Sequence, residues 1–462
     1  MALIIFLVAV FVGGAMRIDA TVRLYGPNEI SPSDPSLCYE PAADSFLAGD
    51  GMLPYSKDDP RGNFIPPPLH PAFIAAMKAI FPTGDYHTMR SVLAMFSIFS
   101  IALAYLVGAQ LGTRLTGAFA AFVVAVDPDL IHWVSMLLTE TNFFFLLFAF
   151  LAALLYAVRK DTARSMALAG ALLGVCCLQR PIPMFLAILI PAFLVIRYRS
   201  GRRLVQGAVF FLACVAMISP WTIRNYARYG AFYPVSTNGG HQLARSNFPA
   251  LDSADPEMRY LNRIWPTPVW RDPAIEAEFE GRKDKYGYNE WNQKDKAYAR
   301  RTFRYIRENP GHFLRNYCLK VYNSLRGPIT PSSRKHLNIY NIRGRSLVER
   351  GLYRYWRNGL VILGLSSAVW FALRERRGPR LVMLLVLLYF IGISGLVIDV
   401  SSARYSLPMK ILISFFAAYG LAALVEMWMC RSARRAGPSE VAVTPAVNPS
   451  PDEAPDDPKD AP

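Results

Sequence analysis

Charge is what this sequence has least of. Asp, Glu, Lys and Arg make up 18% of its 462 residues, while 53% are hydrophobic. Phosphate-cradling glycine loops are missing too: neither GxGxxG nor GxxxxGK[ST] occurs, and the hydrolase elbow GxSxG is absent. The six histidines, His70, His87, His132, His241, His312 and His336, show no HExxH or paired spacing, which argues against a zinc site. No CxxC occurs among the six cysteines, and Cys176, Cys177 and Cys214 lie inside apolar blocks.

What is present is a series of blocks, each nearly free of charge and long enough to approach a bilayer crossing. That pattern excludes an ordinary cytosolic enzyme, a disulfide-rich secreted scaffold and a disordered chain. Spans are expected at 2–16, 89–109, 115–133, 136–158, 165–178, 182–196, 204–220, 357–373, 381–398 and 408–429. The fold class is therefore an α-helical polytopic membrane protein with about ten transmembrane helices. The first block ends in small residues but lacks the basic start of a signal peptide, so it reads as an uncleaved helix.

Alternate short connections carry the arginines, from Arg114 through Arg159, Arg197, Arg202 and Arg374 to Arg431, and these read as cytoplasmic. Both termini then lie inside, and residues 17–88 and 221–356 face outward. The expected organisation is an N-terminal transmembrane module over 1–220 that includes the 17–88 loop, a mainly helical outer domain over 221–356, C-terminal transmembrane helices over 357–429, and a Pro, Asp and Ala-rich disordered tail over 430–462.

The formal net charge is +16. Because the arginines flank membrane segments or fall in one long loop, nucleic acid is not an expected partner. The basic 221–356 segment fits a polyanionic or phosphate-bearing partner and fits anionic lipid headgroups equally well.

Asp127-Pro128-Asp129 interrupts one span, and Gln179-Arg180-Pro181 separates two others with almost no loop. Charged, irregular backbone at that depth implies a cavity open to the outer face; short spans absorbed by tilt are the alternative. Outward carboxylates are the candidate bases: Asp34, Glu40 and Asp44 in the first loop, and Glu140 at the outer end of a span. Hydrated loop carboxylates, and a helix cap at Thr139 beside Glu140, are the plain structural readings. Two outer helices, 295–309 and 312–325, have apolar residues at scaffold spacing. Ser236-Thr237-Asn238-Gly239-Gly240 reads as a donor-rich binding loop or an ordinary turn.

Several segments together resemble the GT-C class of integral-membrane glycosyltransferases, in the bacterial branch related to dolichyl-phosphate-mannose protein mannosyltransferases and the lipid A aminoarabinose transferase. They are Tyr39, Ala43 and Gly49-Asp50-Gly51; Pro67-Pro68-Leu69-His70-Pro71; Leu138-Thr139-Glu140; Arg180-Pro181; Pro220-Trp221-Thr222-Ile223-Arg224-Asn225-Tyr226; Pro234 to Gly240; and Arg404-Tyr405 with Pro408. The resemblance implies inverting transfer of a sugar from a polyprenyl-phosphate-linked donor to a lipid, glycan or protein acceptor, at the outer face of the inner membrane. It implies Asp34 as first choice of base, although Asp34 stands five residues before Tyr39 and the family's aspartate stands closer. The topology sets Arg224 and Arg404, with Arg90, Arg180 and Lys410 as further candidates, near the outer membrane boundary, where they hold the donor phosphate or else snorkel to headgroups or pair with Asp127, Asp129, Asp399 or Glu140; the sugar or acceptor is expected on Tyr39, His70, Asn225, Ser236, Asn238 and Tyr405. No cofactor is called for, and a divalent cation is left open. A disulfide between Cys38 and Cys318 is also left open. A lipid-linked sugar flippase or transporter and a non-catalytic envelope assembly protein are the competing functions; the absence of an internal repeat counts against the first.

Overall fold

The computed structural model describes residues 1–23, 38–52, 65–82, 85–230, 232–247, 273–279, 289–326, 347–376, 378–397 and 403–435. The described elements are helical: α1 Ala2–Arg23, α2 Glu40–Leu47, α3 Leu69–Ile80, α4 Tyr86–Leu111, α5 Arg114–Val126, α6 Pro128–Val134, α7 Glu140–Lys160, α8 Ala163–Gln179, α9 Leu186–Tyr198 and α10 Gly201–Tyr229. There follow α11 Gly239–Asn247, α12 Pro273–Phe279, α13 Asn289–Glu308, α14 Pro310–Arg326, α15 Leu347–Arg374, α16 Val382–Val397 and α17 Leu407–Arg435. Residues 1–422 form one compact unit. The other unit starts at Ala423, and its described part is the end of α17.

The chain is a multi-pass membrane protein. Seven helices are long and apolar enough to cross a bilayer, and α5 with α6, bent by 55°, would make an eighth. Two expected spans are shorter. At 17 residues α8 is about 26 Å long, below the ~30 Å of hydrocarbon. The apolar helix over Ile182–Tyr198 has the same limit. Other bounds also moved. The first helix was expected to stop at residue 16 and runs to Arg23, and the span expected to end at 220 continues to Tyr229. Pro-Trp-Thr-Ile-Arg-Asn therefore sits on a helix, which stops where Gly230 takes the left-handed conformation at φ 63°.

The bend between α5 and α6 follows from sequence. Pro128 has no N–H to offer the carbonyl of Val124, and Asp127 is extended at ψ 114°. Asp127 Oδ1 accepts from the backbone N–H groups of Asp129 and Leu130 at 3.0 and 3.2 Å and so starts α6. Arg17 takes the freed carbonyls. Its guanidinium donates to Val124 O at 2.9 Å, Ala125 O at 2.7 Å, Gly13 O at 2.9 Å and Ser97 Oγ at 2.6 Å, and it is fully buried. A charge at that depth is tolerated because four of its five N–H groups have described acceptors.

The helices α8 and α10 cross most closely where glycine removes the side chain: a Cβ on Gly170 would meet the Phe210 carbonyl, and one on Gly174 would lie 2.7 Å from that of Cys214. Cys38 is buried, Cys318 is exposed, and no disulfide joins them.

Candidate active site

The segment between α6 and α7 is held by its carbonyls. Arg90 Nε donates to Ser135 O at 3.1 Å, His70 Nε2 to Leu137 O at 2.9 Å, and Gln179 Nε2 to Thr139 O at 3.1 Å. Three helices thus converge on five residues, and all three side chains are buried. They hold Leu137 at φ 51°, a left-handed conformation that a leucine avoids unless its surroundings impose it. Burial pushes the His70 imidazole down to about 4, only partly opposed by its bond to Leu137, so the ring is neutral at physiological pH. Tyr39 packs edge-on against it at 4.9 Å. Two expected ligand-binding residues, Arg90 and His70, are thus engaged with backbone.

The held segment delivers Glu140 to the first turn of α7. Its Oε1 lies 2.8 Å from Arg180 Nη1, and both side chains are almost wholly buried. Arg180 reaches it from the extended residue that ends α8 before Pro181, with its guanidinium 4.9 Å from the Tyr405 ring and 5.6 Å from that of Phe143. The Thr139 side chain does not cap α7; its hydroxyl lies 3.4 Å from Glu140 Oε2. An ion pair, with the positive end of the helix, accounts for the buried carboxylate instead.

A second buried charge group lies nearby in sequence. Arg357, on α15, pairs with Asp127 Oδ2 at 3.1 Å and Asp129 Oδ2 at 2.6 Å. Lys410, on the first turn of α17, lies in the field of the same three charges and is 5% exposed. Among the described residues no ion pair involves Lys410. Arg357 was not anticipated, because its partners are about half the chain away. With Asp127 and Asp129 turned to Arg357 and the α6 N-terminus, they make no evident cation site. Among the described residues no group of three or more His, Cys, Asp or Glu side chains could hold a metal.

The first-loop carboxylates form a third group. Lys78 lies 2.8 Å from Glu40 and 2.6 Å from Asp44, and the Tyr86 hydroxyl donates to Glu40 at 2.7 Å. Burial works against the Lys78 charge, but its bonds to Asp44 and Glu40 outweigh that and raise its pKa. Asp34 lies outside the described residues, as does the side chain of Arg404, whose backbone belongs to the turn Ala403–Ser406.

The remaining predicted residues build a clasp. Arg224 donates to Met52 O at 3.0 Å, Asn225 Oδ1 at 3.1 Å and the Tyr229 hydroxyl at 3.3 Å, and stacks 4.6 Å from Trp221. Trp221 Nε1 donates to Val235 O at 2.8 Å, Thr222 to Pro234 O at 2.9 Å, and Asn225 Nδ2 to Tyr233 O at 3.1 Å. Thr237 then meets Ile65, its Oγ1 accepting from the Ile65 N–H at 3.0 Å. Ser236 and Asn238, either side of it, are partly buried, and the Asn238 carbonyl accepts from Gln242 N at 3.1 Å. The motifs around 220 and 234, which were expected to hold ligand, bond to each other and to the first loop. Arg224 makes its described bonds there, not with the group containing Arg180 or Lys410.

Solved structures share the overall fold. Oligosaccharyltransferase AglB from Archaeoglobus fulgidus, in complex with an inhibitory peptide and a dolichol-phosphate, superposes with a TM-score of 0.53 at 15% identity, over 95% of this chain and 52% of that one. The A. fulgidus oligosaccharyltransferase tethered to an acceptor peptide gives 0.55 at 13% identity, over 94% and 50%. The chain has the GT-C fold. ArnT from Cupriavidus metallidurans bound to undecaprenyl phosphate overlaps 92% of this GT-C chain and 78% of its own at 13% identity, with a TM-score of 0.39. The sequence model of the dolichyl-phosphate-mannose-protein mannosyltransferase family matches residues 66–223, about a third of the chain. No curated protein sequence matches it. The chain spans about half the length of the AglB structures.

Proposed function

We propose that this protein is an inverting glycosyltransferase that moves a sugar from a polyprenyl-phosphate-linked donor to an envelope acceptor, lipid, glycan or protein, at the outer face of the inner membrane, with both termini cytoplasmic. The observation that carries the reading is Lys410: a buried lysine, outside any ion pair among the described residues, five residues after Tyr405, whose ring lies against Arg180 of the Glu140–Arg180 pair in a GT-C fold. Asp127 and Asp129 attract it and Arg357, which pairs with both, opposes it, so among the described residues it lacks an anion bonded directly to it. A lipid phosphate arriving there would supply one.

The chemistry is short. A carboxylate accepts the proton of the acceptor hydroxyl, whose oxygen attacks the anomeric carbon on the face opposite the phosphate. The bond from carbon to phosphate oxygen breaks, and the lipid phosphate departs with the electron pair. Phosphate is already a good leaving group, so fixed positive charge replaces a general acid. Lys410 supplies that charge, with Arg180 and Arg404 as the further candidates. Glu40 and Asp44 are held by Lys78, which favours Asp34 as the base.

The test is purified protein, a polyprenyl-phosphate sugar and a measured rate of lipid-phosphate release. Lys410→Met should lower that rate by roughly two to three orders of magnitude, and Asp34→Asn by roughly two to four. Wild-type release from the Lys410 variant would remove the phosphate site. Translocation of the lipid without any release in the wild type would favour a flippase. Mass spectrometry of envelope glycolipids, with and without the protein, identifies the acceptor.

A further inference from the structure

The outer helices α13 and α14 form a hairpin whose height is fixed by a membrane helix. Helix α16 ends with carbonyls that no further turn can satisfy. Two side chains of α11 take them, Gln242 donating to Val397 O at 2.9 Å and Asn247 to Leu396 O at 2.8 Å, while Tyr317 of α14 donates to Gly392 O, about a turn earlier, at 3.2 Å. Lys320 of α14, fully buried, ties the two helices together by donating to Ser246 O at 3.0 Å and Asn247 Oδ1 at 2.9 Å. The last turn of a membrane span lies at the headgroup layer. The helix bound to it lies there too.

The outward face of this hairpin matches that layer. Arg300, Arg304 and Arg307 recur at helical spacing on α13 and are exposed, as is Arg315 on α14. Beside them Phe303 is 63% exposed and Leu314 60% exposed. No acidic residue occurs anywhere in α14. Apolar side chains next to a basic stripe, on a helix held at the membrane surface, describe an interfacial element. Charge complementarity then selects the lipid.

We propose that the α13–α14 hairpin binds the outer membrane leaflet through anionic phospholipid headgroups, with Phe303 and Leu314 entering the boundary and Arg300, Arg304, Arg307 and Arg315 pairing with phosphates. This surface is separate from the proposed reaction centre and independent of it.

Cys318 lies one turn beyond Leu314 and is exposed, so it reports the depth of this face. With Cys430→Ser in place, a fluorophore on Cys318 is followed in nanodiscs of phosphatidylcholine alone or mixed with phosphatidylglycerol. Quenching by a headgroup-level nitroxide lipid, with little quenching by aqueous iodide, is the expected result. The nitroxide quenching should rise with phosphatidylglycerol and fall back in high salt. Arg300→Gln/Arg304→Gln/Arg307→Gln/Arg315→Gln should abolish the dependence on phosphatidylglycerol; should that variant not fold, the salt titration of the wild-type arginines decides the same point. Dominant iodide quenching in both lipid mixtures overturns the proposal, as does unchanged lipid dependence in the folded variant. Salt-sensitive capture of a soluble polyanion with the label in water would also overturn it, assigning the face to a polyanionic acceptor.

Discussion

Arg224 and Arg180 stand near the ends of neighbouring membrane helices, yet they are held by opposite chemistry. Around Arg224 the partners are neutral: a carbonyl, an amide, a phenol and an indole face. Arg180 is buried against a carboxylate. The first arrangement is a clasp, in which a cation organises backbone that would otherwise lack partners. The second stores paired charge where water is excluded. The sequence marked both arginines alike as candidate phosphate ligands, and their surroundings differ.

The largest effect is expected from breaking the buried pair. Arg180→Met leaves Glu140 buried without its ion partner and should cost about 3–5 kcal/mol in thermal unfolding of the detergent-solubilised protein. Adding Glu140→Gln should recover much of that loss. A cost below about 1 kcal/mol would mean the pair is solvated and the contrast with Arg224 is lost.

Arg224→Met should cost less, about 1–2 kcal/mol, because neutral bonds are weaker. Lysine at that position should restore part of it, since it still reaches the Met52 carbonyl but loses the stack on Trp221. A loss as large as that of Arg180→Met would make the clasp another charge centre. Trp221→Phe isolates one bond of the same clasp. Freeing the Val235 carbonyl should cost about 1 kcal/mol, with little change in lipid-phosphate release.

The smallest effect probes a third kind of site, a carboxylate held by backbone alone. Asp295, on α13, accepts from the His241 N–H at 2.7 Å at the start of α11. Burial raises its pKa to about 6, against the opposing pull of the His241 and Gly240 bonds. The folded state therefore holds this proton more tightly than the unfolded state between about pH 4 and pH 6. Its contribution to stability is full below that window, is lost as pH rises through 6, and stays lost above. Asp295→Asn keeps an acceptor without the charge, so it should gain about 1 kcal/mol at pH 7.5 and nothing at pH 4. An equal shift at both pH values would mean the aspartate is already ionised at pH 4.

Much of the membrane architecture was legible because uncharged blocks leave few alternatives to a helix in lipid. The outer helices were legible too: spacing predicted 295–309 and 312–325, and the structure has Asn289–Glu308 and Pro310–Arg326. What could not be read was which polar groups meet. An arginine at position 17 looks like the end of a span, and Pro220 looks like the end of another, so both helices were drawn short. Arg357 and Lys78 went unnoticed as partners of Asp127, Asp129, Glu40 and Asp44. Those contacts join distant segments, and one sequence holds no record of such pairs. The site residues with backbone roles, Arg90 and His70, were recognised by type and position but not by task, because a carbonyl partner leaves no mark on the side-chain sequence.

The buried Arg17 sets a constraint on how the protein is made. Of the four acceptors described for it, Gly13 is local, and Ser97, Val124 and Ala125 lie 80, 107 and 108 residues further along. At about 5–20 residues per second, the ribosome needs on the order of 5–20 s after Arg17 to reach Ala125. For that interval α1 is in the membrane carrying a guanidinium whose distant partners have not been synthesised. The helix must wait with its arginine at the aqueous boundary or against the insertion machinery, and it can take its final depth only when α4 and the kinked α5 arrive together. Assembly of the N-terminal module is therefore a delayed, joint event, timed by a single residue.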